Sequence, residues 1–232
     1  MTAHAPRVAV VVFPGSNDDR DAALALGGLG AEPVLHWHGE PELPDVGAVV
    51  LPGGFSYGDY LRAGAIARFS PAMRAVAEFA ADGGFVLGIC NGFQVLCEAG
   101  LLPGVLRANE LLSFVCRDVA VRVQRNDVPF LAACETGQRL TIPVKHGEGC
   151  YFADAGLLGQ LEANGQIVLR YDGENPNGSV DDIAAVVNAD GNVMGLMPHP
   201  EHAVDPLLGS ADGALILQAV VDRARERLFA AA

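Results

Sequence analysis

The chain has 232 residues, 50% of them hydrophobic but only 6% aromatic, a formal net charge of -13 and a pI of about 4.7. This length suits one large α/β domain with a core of Ala, Val and Leu, and the acidic balance argues against nucleic acid or an anionic membrane surface as the main partner. Five cysteines, at 90, 97, 116, 134 and 150, include no C-x-x-C pair, which reads as a reduced, cytosolic protein.

The polar start, Met1 to Arg7, runs directly into a strand and is no signal peptide, and no apolar run approaches a membrane span. Val8 to Phe13 is a β-branched apolar run, read as a buried first strand. Asp18 to Gly28 reads as a helix, with Asn/Asp as start and glycines as stop. Glu32 to Trp37 and Ala48 to Leu51 are the next strands, the latter ending abruptly at Pro52-Gly53-Gly54. The polar, glycine-rich stretch from Phe55 is long for a connection between a strand and a helix, and such loops at strand ends tend to be functional. Arg62, Arg68 and Arg74 lie close together, either as a local basic patch or as a solvated helix face. Pro71 to Ala81 is helical, with Ser70 as N-cap and Pro71 in the first turn. Phe85 to Ile89 is a short apolar strand, and Asn91 to Ala99 has helical character.

Between them lies Gly88-Ile89-Cys90-Asn91-Gly92. A buried strand that ends at a glycine-flanked nucleophile and turns straight into a helix is a nucleophile elbow. The helix N-terminus favours thiolate over thiol. A buried core cysteine at a strand end fits the same pentapeptide. From Leu101 to about Asp182 the pattern becomes a mixed extension, with short strands at 119–123, 140–144 and 166–171. Residues 183–187 and 193–197 form a hairpin around Asp190-Gly191, Pro198-His199-Pro200-Glu201-His202 follows, and Ala211 to Ala231 reads as a C-terminal helix.

The fold predicted is therefore α/β: an open, mostly parallel sheet with helices on both faces and a mixed β extension in the second half, as a single domain over 1–232. In such sheets ligands lie at the carboxyl ends of the strands. Gly53-Gly54, Cys90 and His199 each follow a strand and can share that edge. There His199 can serve as base for Cys90 and Glu201 can hold its imidazole. The N–H groups of Asn91 and of Gly53 or Gly54 can receive an oxyanion. A surface ion pair accounts for His199 and Glu201 equally well at this point. A metal site is not expected, because His199, Glu201 and His202 are compressed around Pro200.

Gly88 to Gln94, the Pro52-Gly53-Gly54 turn and Pro198-His199-Pro200-Glu201 together resemble the class I, triad-type glutamine amidotransferases, over nearly the whole chain. The resemblance implies a flavodoxin-like sheet. It also implies a glutaminase in which Cys90 attacks the side-chain amide of glutamine, His199 and Glu201 complete the triad, and Gly54 and Asn91 form the oxyanion hole. Gly53, Gln94, His146 and Gly147 would then contact substrate. The run Phe55 to Ala67, Lys145-His146-Gly147-Glu148-Gly149, Arg170-Tyr171 with Asn175 to Ser179, and Gly209 to Gly213 are similar to one branch of that family. Its members pass ammonia to a large synthetase subunit, bridged by a small third subunit, for amination of formylglycinamide ribonucleotide in purine synthesis. The resemblance places ATP and Mg in that partner, with no cofactor in this chain. His202 departs from the pattern, which would have arginine there. A cysteine peptidase or DJ-1-like hydrolase on a similar elbow, and a non-catalytic docking subunit, are the alternatives.

Overall fold

The computed structural model describes residues 5–230. The polar start at residues 1–4 and the last residue of the predicted C-terminal helix, Ala231, lie outside the described residues. The first half alternates as its patterning dictates: β1 (Arg7–Val12), α1 (Asp19–Gly28), β2 (Glu32–Trp37), β3 (Ala48–Leu51), α2 (Pro71–Ala81), β4 (Phe85–Ile89) and α3 (Asn91–Glu98). The second half adds β5 (Val105–Arg107), β6 (Val115–Val123), β7 (Arg139–His146), β8 (Cys150–Phe152), α4 (Ala155–Ala163) and β9 (Ile167–Tyr171). It ends with β10 (Ile183–Val187), β11 (Val193–Leu196) and α5 (Gly213–Ala230).

Nine of these strands form one sheet in the order β2-β1-β3-β4-β11-β10-β9-β6-β7, and β5 pairs with β8 apart from it. Strands β2, β1, β3, β4 and β11 run parallel, and β10, β9, β6 and β7 continue antiparallel. The mixed extension is thus continuous with the parallel half. Val8 to Val11, Ala48 to Leu51 and Val86-Leu87 are fully buried, as expected for strands covered on both faces. α5 packs on β1, β3 and β4 with α1 beside it, while α3 packs on β3, β4 and β11. The order β2-β1-β3-β4 is doubly wound, with its switch point between β1 and β3, where the loops after the two strands diverge and leave a crevice. Gly53-Gly54, Cys90 and His199 follow the carboxyl ends of the adjacent parallel strands β3, β4 and β11 on that edge.

Two sequence expectations change, and one open alternative is decided. Ser70 stands at the N-cap of α2 but makes no cap hydrogen bond, and its buried Oγ has no partner among the described residues. The strand predicted at 119–123 begins at Val115, because β7 pairs with it along its exposed outer end, where no alternation marks it. The three arginines form no basic patch: Arg62 is bound by Glu98, Arg68 by the Glu98 carbonyl and Arg74 by Glu78.

The long stretch after β3 folds into two short 3-10 turns, at Ser56–Asp59 and Ala67–Phe69. Tyr57, Asp59 and Leu61 all hold positive φ there, at 57°, 54° and 72°, a conformation that costs non-glycine residues energy and marks functional segments. Asn91, at the start of α3, anchors the stretch by accepting from the Ser56 N–H at 3.1 Å. No helix among the described residues is long and apolar enough to cross a membrane, and all five cysteines are free.

Candidate active site

Cys90 sits between β4 and α3 with φ 49° and ψ -103°. This strained turn is what an elbow requires, and its flanking glycines are explained by crowding. A Cβ on Gly92 would lie 2.0 Å from the Leu51 carbonyl oxygen, and one on Gly88 would lie 2.5 Å from Leu96 Cδ1. The Cys90 N–H donates to the Leu196 carbonyl of β11 at 2.8 Å, which ties the nucleophile to the strand that delivers His199. Cys90 is 5% exposed and lines a cavity of about 280 Å³ together with Asp18, Gly54, Asp59, Gln94, Lys145, His146, Gly147 and Glu148.

His199 and Glu201 follow β11. The His199 N–H donates to the Pro143 carbonyl of β7 at 2.8 Å, which fixes the backbone. Its ring Nδ1 donates to Glu201 Oε1 at 2.6 Å, and both side chains are almost fully buried. Among the described residues Nε2 has no hydrogen-bond partner, so it is the nitrogen left to serve the Cys90 sulfur. Burial works against the imidazolium, yet the Glu201 carboxylate and Cys90 overcome it and raise the His199 pKa to about 10. The elbow cysteine and the buried His199–Glu201 pair thus share one edge of the sheet, and the arrangement is far from a surface ion pair.

The predicted oxyanion donors both follow strand ends beside Cys90. Gly54 lines the cavity, and no acceptor for its N–H occurs among the described residues. The Asn91 N–H lies in the first turn of α3, where the helix itself supplies no acceptor. Of the predicted substrate contacts, Gln94, His146 and Gly147 line the cavity. The Gln94 amide is already placed: Oε1 accepts from Asn91 Nδ2 at 2.8 Å and Nε2 donates to the Glu148 carbonyl at 2.5 Å. His146 Nδ1 donates to Asn109 Oδ1 at 3.1 Å, and burial together with nearby His199 lowers its pKa to about 4, so it is neutral at pH 7. Gly53 does not line the cavity. It packs behind His199 instead, where a Cβ would lie 2.6 Å from His199 Cε1 and 2.4 Å from Asp18 Oδ2.

Sequence reasoning missed Asp18, Lys145, Asp59 and Glu148. Asp18 was read only as a helix start, yet its carboxylate is buried and ion-paired with Lys145. Its burial favours the neutral acid, but hydrogen bonds from His202 and Lys145 and the charge of His199 bring its pKa to about 2. Burial, aided by Glu148, raises that of Asp59 to about 6. Ligand atoms of Asp18, His199, Glu201 and His202 lie within 4.8 Å of one another. These groups are compensated internally, since Lys145 neutralises Asp18 and His199 is bound to Glu201. The unexpected His202 joins this network, with Nε2 3.4 Å from Asp18 Oδ1 and 3.6 Å from Glu201 Oε1.

A cysteine elbow, a His–Glu pair and two backbone donors at the carboxyl edge of a doubly wound sheet are the parts of an amide-cleaving acyl-transfer site. In agreement, residues 5–220 match the CobB/CobQ-like glutamine amidotransferase domain, and the chain belongs to that family. Within it, the chain is 61% identical to the phosphoribosylformylglycinamidine synthase subunit PurQ of Rubrobacter xylanophilus, over 94% of this chain and 99% of the relative. It is 56% identical to the subunit of the same name from Salinibacter ruber, over 93% and 96% of the two chains. The solved structure of PurLQS from Thermotoga maritima contains a chain with a TM-score of 0.85 and 44% identity, covering 94% of this chain and 98% of that one. The glutaminase domain of Trypanosoma brucei CTPS, at 14% identity and TM-score 0.64 over 96% and 94% of the two chains, shares the fold.

Proposed function

We propose that this chain is the glutaminase subunit of a phosphoribosylformylglycinamidine synthase. The observation that carries the reading is the Cys90–His199–Glu201 geometry in a chain 61% identical, over nearly full length, to a PurQ subunit. The Cys90 thiolate attacks the side-chain amide carbon of glutamine. The oxyanion that forms is received by the N–H groups of Gly54 and Asn91, each such donor being worth about a hundredfold in rate or more. The His199 imidazolium gives its proton to the departing nitrogen, ammonia leaves, and a γ-glutamyl thioester remains on Cys90. Neutral His199 then takes a proton from water, which attacks the thioester, and glutamate departs as the thiolate returns. Gln94, His146 and Gly147 line the cavity in which glutamine would lie.

The ammonia passes to a large synthetase subunit, with a small bridging subunit completing the complex. The likeness of this chain to one chain of the Thermotoga maritima PurLQS structure supports these partners. The large subunit would use ATP and Mg to convert formylglycinamide ribonucleotide to formylglycinamidine ribonucleotide. Residues 1–232 act as a single glutamine amidotransferase domain in the cytoplasm, a setting supported by five free thiols. A reconstitution tests the reading. The large and small subunits alone should form the amidine from ammonia but not from glutamine, and adding this chain should confer glutamine use. If glutamine remains unused while ammonia is consumed, the assignment fails.

A further inference from the structure

We propose that Asp18 is a positioning residue of the catalytic centre, a second buried carboxylate that, balanced by the Lys145 ammonium, sets how firmly the His199 imidazolium holds its proton. The inference rests on the glutaminase reading above.

Asp18 occupies the N-cap of α1, where an aspartate normally accepts from N–H groups of the first turn. Its side chain accepts none of them. The carboxylate turns inward instead and is 4% exposed. Oδ2 faces His199 Nδ1 at 3.7 Å, while Oδ1 binds Lys145 Nζ and lies 3.4 Å from His202 Nε2. At 3.7 Å the carboxylate acts on the imidazole by charge and not by a hydrogen bond. The surrounding backbone is shaped to hold it there. The Gly53 carbonyl accepts from both Asn17 and Asp18 N–H groups at 3.2 Å, and any side chain at Gly53 would strike Asp18 and His199 together.

The triad carboxylate leaves room for a second anion. Glu201 holds His199 through Oε1, and its Oε2 is buried without a partner among the described residues. The groups facing His199 are Cys90 at the end of β4, Glu201 and His202 on its own turn, Asp18 after β1, and Lys145 and His146 on β7. A buried carboxylate without compensation would be costly, and Lys145 supplies that compensation from one step further out. Removing the Asp18 charge takes an anion from the imidazolium and leaves the Lys145 cation unbalanced. Both changes weaken the hold on the proton. Removing the Lys145 charge does the reverse.

Attack on glutamine needs thiolate and imidazolium together, so the alkaline limb of the kcat/KM profile reports loss of the His199 proton. The profile is measured in the complete synthetase complex for the parent, Asp18→Asn and Lys145→Met. The limb should fall by about one pH unit in Asp18→Asn and rise in Lys145→Met. Opposite shifts are a result that general loosening of the site would not give. Limbs that stay in place, or move in the same direction, overturn the proposal. If Asp18→Asn fails to fold, the Lys145→Met limb alone decides, upward in support and unmoved against. Alkylation of Cys90 by iodoacetate across pH reads the same proton without glutamine. An inactive parent that still shows shifted alkylation limbs would therefore sink the glutaminase reading and leave the Asp18 proposal standing.

Discussion

Replacement of Cys90 by alanine is expected to lower glutamine hydrolysis by about 10⁴-fold or more, because the thioester has no other atom on which to form. Ammonia-dependent amidine synthesis by the reconstituted complex should survive, since ammonia bypasses the thioester. The elbow strain belongs to the backbone: Cys90 holds φ 49° while its side chain lines the cavity. The alanine variant should therefore fold and still dock. Equal loss of both activities would assign Cys90 a structural role. Retention of glutamine hydrolysis would move the nucleophile elsewhere.

The second large effect is expected at Gly53, which touches no substrate-facing space. Its added Cβ in Gly53→Ala would lie 2.4 Å from Asp18 Oδ2 and 2.6 Å from His199 Cε1, so the carboxylate and the imidazole must give way together. Displacement of a catalytic group by about 1 Å costs roughly a hundredfold. That loss should fall on kcat, with KM for glutamine little changed and the melting temperature lowered by only a few degrees, since overpacking a buried site costs about 1–3 kcal/mol. A rise in KM at constant kcat would restore the direct substrate contact that the family resemblance implied.

The parallel half was legible because buried strands and their stops are local signals: the predicted bounds of β2 and β3 coincide with those observed. The nucleophile was legible for the same reason, since glycines at Cys90±2 are demanded by Leu51 and Leu96 packing against the elbow. His199 and Glu201 were found through their spacing of two residues, although only the folded arrangement, which adds Cys90 to Glu201 against the cost of burial, turns that pair into a charged base. The misses are non-local or weakly patterned. α4 carries Gly156 and Gly159 and has no strong apolar stripe, so its one sequence cue was Asp154, whose side chain accepts from the Leu157 N–H at 2.8 Å. β5 and β8 are three residues each and exist through pairing with each other. Asp18 looked like another helix cap, and nothing in its neighbours in sequence announces Lys145, which lies 127 residues away and across the sheet. Gly53 was expected to contact substrate through the family resemblance alone, whereas its absent side chain makes room for Asp18 and His199.

The central claim is that Cys90 is the nucleophile of a glutamine-specific cavity. Intact-mass and peptide mass spectrometry after incubation with 6-diazo-5-oxonorleucine tests it most directly. A single adduct on Cys90 is expected, one that excess glutamine prevents and Cys90→Ala abolishes. A label on Cys97, Cys116, Cys134 or Cys150, or one on Cys90 that glutamine does not protect, would contradict it.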